Sequence, residues 1–125
     1  MADRRPNYKV LPLPIVQKWA TKKLSTAQLR EGIKLVRQLR FYPAVPDLKI
    51  ERCGDGLKID IEHSSIGQQG WLRAVFCVDE KSKTIYVVHL FWKKTNAILV
   101  ADRVLADQRI SALKHALTRG QKPWR

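Results

Sequence analysis

The sequence predicts an α+β fold, in which a small antiparallel sheet of three to four strands packs on two N-terminal helices and a C-terminal helix. Apolar residues recur at helical spacing in two segments, namely Leu29, Ile33, Val36 and Leu39, and then Ala106, Ile110, Leu113 and Leu117. Apolar and charged residues alternate over residues 57–62, which indicates a strand with one face in water. Short polar turns separate the later strands, so the predicted element order is β-α-α-β-β-β-α.

The N-terminal part of the chain predicts one strand and two helices. A short first strand is expected over residues 8–11, and a short helix over residues 15–24. Ser25 and Gln28 have the spacing of a capping box, which marks the start of the second helix. This helix ends before Pro43, because a residue that precedes proline is disfavoured in helical conformation.

The middle of the chain predicts an antiparallel meander, in which consecutive strands are joined by short turns. Residues 53–56 combine two glycines with an aspartate, which is typical of a turn. Strands are expected over residues 57–62, 71–78 and 84–92. The last of these is apolar on both faces apart from His89, which predicts an interior position in the sheet.

The closing segment predicts a helix that Asn96 caps and Gly120 ends. The whole chain, residues 1–125, is expected to form a single domain with flexible ends at residues 1–7 and 121–125. The apolar stripes of the two longer helices can cover one face of the sheet. On that arrangement the other face is free to bind a ligand.

The charge of the chain is unusual for a protein of this size. It has 125 residues, of which 45% are hydrophobic, and a formal net charge of +13. Residues 1–46 and 93–125 carry the whole positive excess, whereas residues 47–92 are nearly neutral. Such an excess attracts nucleic acid or acidic proteins. Arg30, Lys34, Arg37 and Arg40 form a basic stripe on the second helix, which is either a solvated face or a contact surface for RNA or an acidic partner.

Several classes of protein are excluded by what the sequence lacks. No apolar run reaches the ~20 residues that cross a bilayer, and we recognise no signal peptide, so a membrane protein is not expected. Cys53 and Cys77 are expected to be buried thiols in a reducing cytoplasm. The three histidines lack ligand spacing, so we expect no metal and no cofactor. Glycine-rich phosphate loops and nucleophile elbows are absent from the sequence.

Arg73 and His89 are the candidate catalytic residues, because each interrupts an apolar strand. RNA cleavage by the 2′-hydroxyl needs a base, an acid and cations for the phosphorane, and Lys93 and Lys94 follow the His89 strand directly. Two strand registers are compatible with the sequence. Arg73 lies opposite His89 in one register, whereas Ala74 takes that place in the other and the two groups face apart.

The segment IYVVHLFWKKT at residues 85–95 resembles the strand and following lysines of a known family of bacterial toxins. Residues 71–76 resemble the preceding strand of the same family, and residues 102–117 resemble its closing helix. The family is the RelE/ParE superfamily, and within it the HigB-like, phage Gp49-like branch. The element order is similar as well.

This resemblance implies a toxin of a type II toxin–antitoxin system that acts as a metal-independent mRNA endoribonuclease at the ribosome. Arg73 would hold phosphate and His89 would serve as acid or base. The residues expected to contact RNA are Lys58, Lys93, Lys94 and, from the basic stripe, Arg37. The expected partners are an antitoxin with an acidic segment, mRNA and the ribosome.

Two other functions stay open at this point. Asp60 and Glu62 lie on the strand next to the candidate site, and carboxylates repel a scissile phosphate. The same fold could therefore serve as a non-catalytic basic module that binds nucleic acid or protein. A ParE-like gyrase poison is the third hypothesis.

Overall fold

A computed structural model describes residues 7–45, 49–61, 72–92 and 98–120. Within these residues the secondary structure consists of five strands, three α-helices and one short 3-10 helix. In chain order they are β1 (Lys9–Pro12), α1 (Pro14–Lys23), α2 (Thr26–Arg37), the 3-10 helix Gln38–Phe41, β2 (Ile50–Cys53), β3 (Gly56–Ile61), β4 (Leu72–Asp79), β5 (Thr84–Trp92) and α3 (Val100–Thr118). The predicted α+β class is confirmed.

All five strands form one mixed sheet in the order β1-β5-β4-β3-β2, so the predicted count of three to four strands was too low. The additional strand is β2, which pairs antiparallel with β3 through a tight turn at Gly54 and Asp55. The positive φ of Gly54, 57°, suits this turn. Strand β1 pairs in parallel with β5, so the sheet is mixed rather than wholly antiparallel as predicted. Helices α1 and α2 carry the chain from β1 across to β2 at the far edge of the sheet.

A β-bulge between Val75 and Phe76 decides the register of β4 and β5. Val75 pairs with His89, whereas Phe76 pairs with Val87, so one residue of β5 is left over. Arg73 pairs with Phe91. The second register predicted from the sequence holds for Phe76–Asp79, but the bulge shifts the pairing of Leu72–Val75 by one residue. Arg73 therefore lies on the same face as His89, one diagonal step away.

Helices cover both faces of the sheet. Helices α1 and α2 lie on one face, where the Trp19 ring is 5.9 Å from the Trp92 ring. Helix α3 lies on the opposite face, where Asp102 contacts His89. The expectation of one free face was wrong, because the apolar stripe of α3 is buried against β3 and β5 rather than beside α2.

The ends of the helices follow local chemistry only in part. The predicted capping box is confirmed, since Gln28 N–H donates to Ser25 Oγ and Ser25 N–H donates to Gln28 Oε1. Helix α3 begins at Val100, with Leu99 at the N-cap position and no side-chain cap, so the proposed cap by Asn96 was wrong. Asn96 itself lies outside the described residues. Gly120 follows the helix with a positive φ of 69°, as expected for a helix stop.

Candidate functional site

A network of ion pairs surrounds Arg73 on the face of the sheet that α3 covers. Arg73 Nε donates to Asp60 Oδ1 over 2.9 Å, across the β3–β4 pairing that sets these two residues opposite each other. Lys58 Nζ lies 3.3 Å from the same oxygen and 3.6 Å from Glu51 Oε1. Arg73 is only 2% exposed. A buried guanidinium needs a charged partner, and Asp60 supplies it.

The position of Asp60 changes its acidity. Burial by itself would raise the pKa of this carboxyl, but the hydrogen bond from Arg73 and the charge of Lys58 hold it below its ordinary value. Asp60 is therefore an anion at neutral pH. Its negative charge partly neutralises the positive charges of Arg73 and Lys58.

His89 belongs to a second cluster, formed with two residues of α3. Its Nε2 lies 2.8 Å from Asp102 Oδ1, and its Nδ1 lies 3.2 Å from Arg109 Nη1. The same Arg109 nitrogen donates to the carbonyl of Val88 over 2.9 Å. These contacts occupy both ring nitrogens and attach α3 to β5 at two points.

The environment of His89 favours the neutral imidazole. Burial lowers its pKa below the ordinary value of 6.5, and the charge of Arg109 acts in the same direction, whereas Asp102 opposes the shift only in part. In the neutral ring one nitrogen donates and the other accepts. Because Arg109 can only donate, we assign the proton to Nε2, which donates to Asp102.

Phe91 connects the two clusters. Its ring stacks on the His89 imidazole, with centroids 4.8 Å apart and planes inclined by 19°, and its backbone pairs with Arg73. Alternation along β5 puts Phe91 and His89 on one face. Lys58, Arg73 and His89, three of the six predicted site residues, therefore share one face of the sheet.

The other three predicted site residues lie elsewhere. Lys93 and Lys94 follow β5 directly in the sequence and lie outside the described residues. Arg37 is at the end of α2, on the opposite face of the sheet, so the structure does not bring it together with Arg73 and His89. The basic stripe of α2 and the candidate catalytic residues thus occupy different sides of the molecule.

Sequence reasoning missed the two α3 partners of His89. Asp102 and Arg109 are seven residues apart, which is about two helical turns, so they lie on the same side of the helix. The apolar residue Ala106 lies between them on that side. That spacing was a usable signal for a buried polar pair. The role of Asp60 was less visible, since an acidic residue on an alternating strand more often faces water.

A cavity of about 340 Å³ lies on the other side of the sheet, between the sheet and helices α1 and α2. Its lining is almost wholly apolar, with Gln17, Thr21 and Arg37 as the polar exceptions. The surface of these two helices is strongly basic. Its exposed cations are Lys18, Lys22, Lys23, Arg30, Lys34 and Arg37.

Neither a metal centre nor a membrane span is evident in the part of the chain that the structure describes. No cluster of three or more potential metal-ligating side chains occurs among these residues. Their helices are also too short or too polar to cross a bilayer.

The architecture is that of the RelE fold. The structure superimposes on a mutant of E. coli toxin RelE in the free state with a TM-score of 0.59 and 18% identity, over 83% of this chain and 98% of that chain. A chain of the archaeal RelE–RelB complex from Pyrococcus horikoshii OT3 gives a TM-score of 0.47 and 25% identity, over 73% and 99% of the two chains. The match to RelE shows that the protein is an α+β domain with the RelE-like fold.

The sequence narrows this class to a family. Residues 22–111 match the family described as phage-derived protein Gp49-like, and the chain belongs to that family. The resemblance found in the sequence is thereby confirmed. No curated protein matches the sequence.

Proposed function

We propose that the protein is the toxin of a type II toxin–antitoxin pair and that it cleaves mRNA at the ribosome as a metal-independent endoribonuclease. The Gp49-like family and the RelE fold support the class of protein. The observation that carries the chemical part is the placement of Arg73, Phe91 and His89 on one face of the sheet, just before Lys93 and Lys94 in the chain.

Arg73 is the residue to which we assign the phosphate. When a 2′-hydroxyl attacks the neighbouring phosphate, an O2′–P bond forms, the P–O5′ bond breaks, the hydroxyl proton passes to water and the leaving 5′-oxygen takes a proton from water. The phosphorane oxygens carry extra negative charge in this step, and cations stabilise that charge. A guanidinium binds carboxylate and phosphate in similar geometry. Because Arg73 is only 2% exposed, an incoming phosphate would have to displace Asp60 from it. Lys58, Lys93 and Lys94 would be further cations near the RNA backbone.

His89 has a different task in this proposal. Both of its ring nitrogens are engaged, so it can exchange a proton with RNA only after a contact to α3 opens. We assign it a positioning role. It holds α3 against β5, and Lys93 and Lys94 stand between these two elements in the sequence.

The test is controlled expression in bacteria, with primer extension on a reporter mRNA to map cut ends. Wild-type protein is expected to arrest growth and to produce new 5′ ends within the coding sequence. Arg73→Lys keeps the positive charge but loses the planar guanidinium, which can donate two hydrogen bonds to one phosphate. This variant should reduce cleavage by at least ~10-fold. Normal growth and intact mRNA in cells that contain the soluble wild-type protein would refute the proposal.

A matched pair of double variants separates local from overall charge. Lys93→Ala with Lys94→Ala should abolish cleavage. Lys22→Ala with Lys23→Ala removes the same charge from the exposed end of α1 and should leave cleavage unchanged. Equal effects of the two pairs would mean that net charge alone accounts for the activity.

A second function, the non-catalytic binding module, is favoured by the ion pair at Arg73 and the enclosed ring of His89. It predicts binding to RNA whose affinity falls as salt rises, without new 5′ ends. Growth arrest with intact mRNA and altered plasmid supercoiling would instead identify a gyrase poison.

A further inference from the structure

The ion pairs around Arg73 form a single row across three strands of the sheet. Glu51 of β2 lies opposite Lys58 of β3. Asp60, two residues further along β3, lies opposite Arg73 of β4. Residues in direct antiparallel register share a face, and so do residues two apart on one strand. The four side chains therefore lie on one face of the sheet, and negative and positive charges alternate along the row.

The cations and the carboxylates of this row differ in depth. The side chain of Arg73 is 2% exposed and that of Lys58 is 11% exposed. The carboxylates are more accessible, at 27% for Asp60 and 46% for Glu51. Long basic side chains at a protein surface usually extend their charged ends into water. Here the order is reversed, because solvent reaches the carboxylates more readily than the cations with which they pair.

Asp60 takes the position that an anionic ligand of Arg73 would need. Its Oδ1 accepts from Arg73 Nε over 2.9 Å and lies 3.3 Å from Lys58 Nζ, so one oxygen engages both cations. A phosphodiester group offers the same chemistry, namely negatively charged oxygens that accept hydrogen bonds from guanidinium and ammonium groups. Carboxylate and phosphodiester also carry the same single charge, so the exchange of one for the other at Arg73 brings little net electrostatic gain.

We propose that Asp60 is an autoinhibitory residue, which competes with RNA phosphate for Arg73 and Lys58 and thereby lowers the affinity of the protein for RNA. Glu51 contributes less, because it lies 3.6 Å from Lys58 and is more exposed to solvent. The positive excess of the chain attracts RNA from a distance, whereas the Asp60 carboxylate opposes that attraction at Arg73 itself. The choice of RNA as the competing anion rests on the proposed function.

The experiment measures fluorescence anisotropy of a labelled single-stranded RNA oligonucleotide with the full-length protein. Every 2′-hydroxyl of this probe is methylated, so it cannot attack the phosphate and binding is measured without cleavage. Asp60→Asn keeps an oxygen that accepts from Arg73 but removes the negative charge. We expect this variant to bind the probe at least ~10-fold more tightly than the wild type does.

The matched control is Glu31→Gln, which removes the same charge from α2 on the opposite face of the sheet. Its affinity should stay within about 2-fold of the wild-type value, because salt screens exposed charges beyond ~8 Å. The salt dependence is a second readout. One additional phosphate contact steepens the slope of log affinity against log salt by ~0.7 for a single strand, and only Asp60→Asn should show this change.

A double variant shows whether the gain in affinity depends on Arg73. Arg73→Gln with Asp60→Asn replaces the ion pair by two neutral amides, and it should bind the probe no more tightly than Arg73→Gln alone. Circular dichroism checks that each variant is folded. If Asp60→Asn does not fold, because Asp60 compensates the charge of a buried guanidinium, Glu51→Gln replaces it. The expected result is then an affinity gain of about 2- to 3-fold.

Equal or lower affinity of folded Asp60→Asn than of the wild type would overturn the autoinhibitory role, as would an equal gain in Glu31→Gln or in the double variant. Where Glu51→Gln is used instead, unchanged affinity overturns it. The mRNA cleavage assay is a separate readout. Protein that cuts mRNA but shows no gain in Asp60→Asn refutes only the autoinhibition. A gain that requires Arg73, in a protein that cuts no mRNA, refutes only the proposed nuclease.

Discussion

Asp102 in the first turn of α3 lies 2.8 Å from Nε2 of His89 in the middle of the sheet. This contact fixes the start of the helix on β5, and Arg109 adds a second contact two turns later. The contact places a carboxylate at a helix N-terminus, where negative charge is favourable. The helix and the strand are joined by polar contacts as well as by apolar packing.

Removing the acceptor should destabilise the protein. Asp102→Ala leaves the buried His89 N–H without a partner, and we expect the free energy of unfolding to fall by about 1–3 kcal/mol. Urea denaturation measures it. Gln108→Ala, an exposed change on the same helix, is the control and should stay within about 0.5 kcal/mol of wild type. Equal stabilities of the two variants would contradict the structural role of the contact.

Stability should also depend on pH through His89. Its pKa in the folded state is lower than the ordinary value of 6.5, mainly because of burial, so the unfolded chain takes up this proton first as pH falls. The contribution of His89 to stability is therefore constant at high pH and is lost progressively as the pH drops below about 6.5. Urea titrations across this window measure the slope.

The matched variant for this experiment is His89→Gln, which cannot titrate. It should show a smaller decrease in stability between about pH 7 and pH 5 than the wild type does. Asp60 adds its own loss only at lower pH, because its pKa is held below 3.8 despite its burial. An identical slope in wild type and variant would show that His89 is not the titrating group.

The same substitution at two glycines should have opposite effects. A Cβ at Gly56 would lie 2.7 Å from Ile110 Cδ1 and 2.8 Å from the Phe76 carbonyl oxygen, so Gly56→Ala should cost about 1–3 kcal/mol. Gly32→Ala meets only Leu72 and improves the helix propensity of α2, so it should stabilise by about 0.5–1 kcal/mol. Thermal unfolding of both variants tests this, and equal shifts would contradict the packing described.

The two thiols should react slowly in the native protein. Cys53 and Cys77 are free and buried, and burial raises the pKa of both, to about 11 for Cys77. The thiolate is the reactive form. Ellman's reagent at neutral pH should therefore label both cysteines only when urea unfolds the chain. Rapid labelling of Cys77 in buffer alone would be inconsistent with its burial under α3.

Local patterns were sufficient for most elements of the fold. Strand β5 over residues 84–92 and the capping box of Ser25 and Gln28 are found where they were predicted, since each depends on neighbours in the chain. The basic ends and the neutral middle of the chain were also evident, because they can be counted along the sequence. Strand β2 was missed because its four residues lack a clear alternation, and it is recognisable mainly by its pairing with β3.

The amino-acid sequence by itself determined the class of fold, the family resemblance and the presence of Arg73 and His89 in apolar strands. Tertiary structure decided which groups these two side chains contact. The bulge at Val75 and Phe76 set their relative position, and the packing of α3 supplied Asp102 and Arg109 to His89. The reason is physical: strand register and helix placement depend on contacts between residues far apart in the chain, which no local pattern specifies.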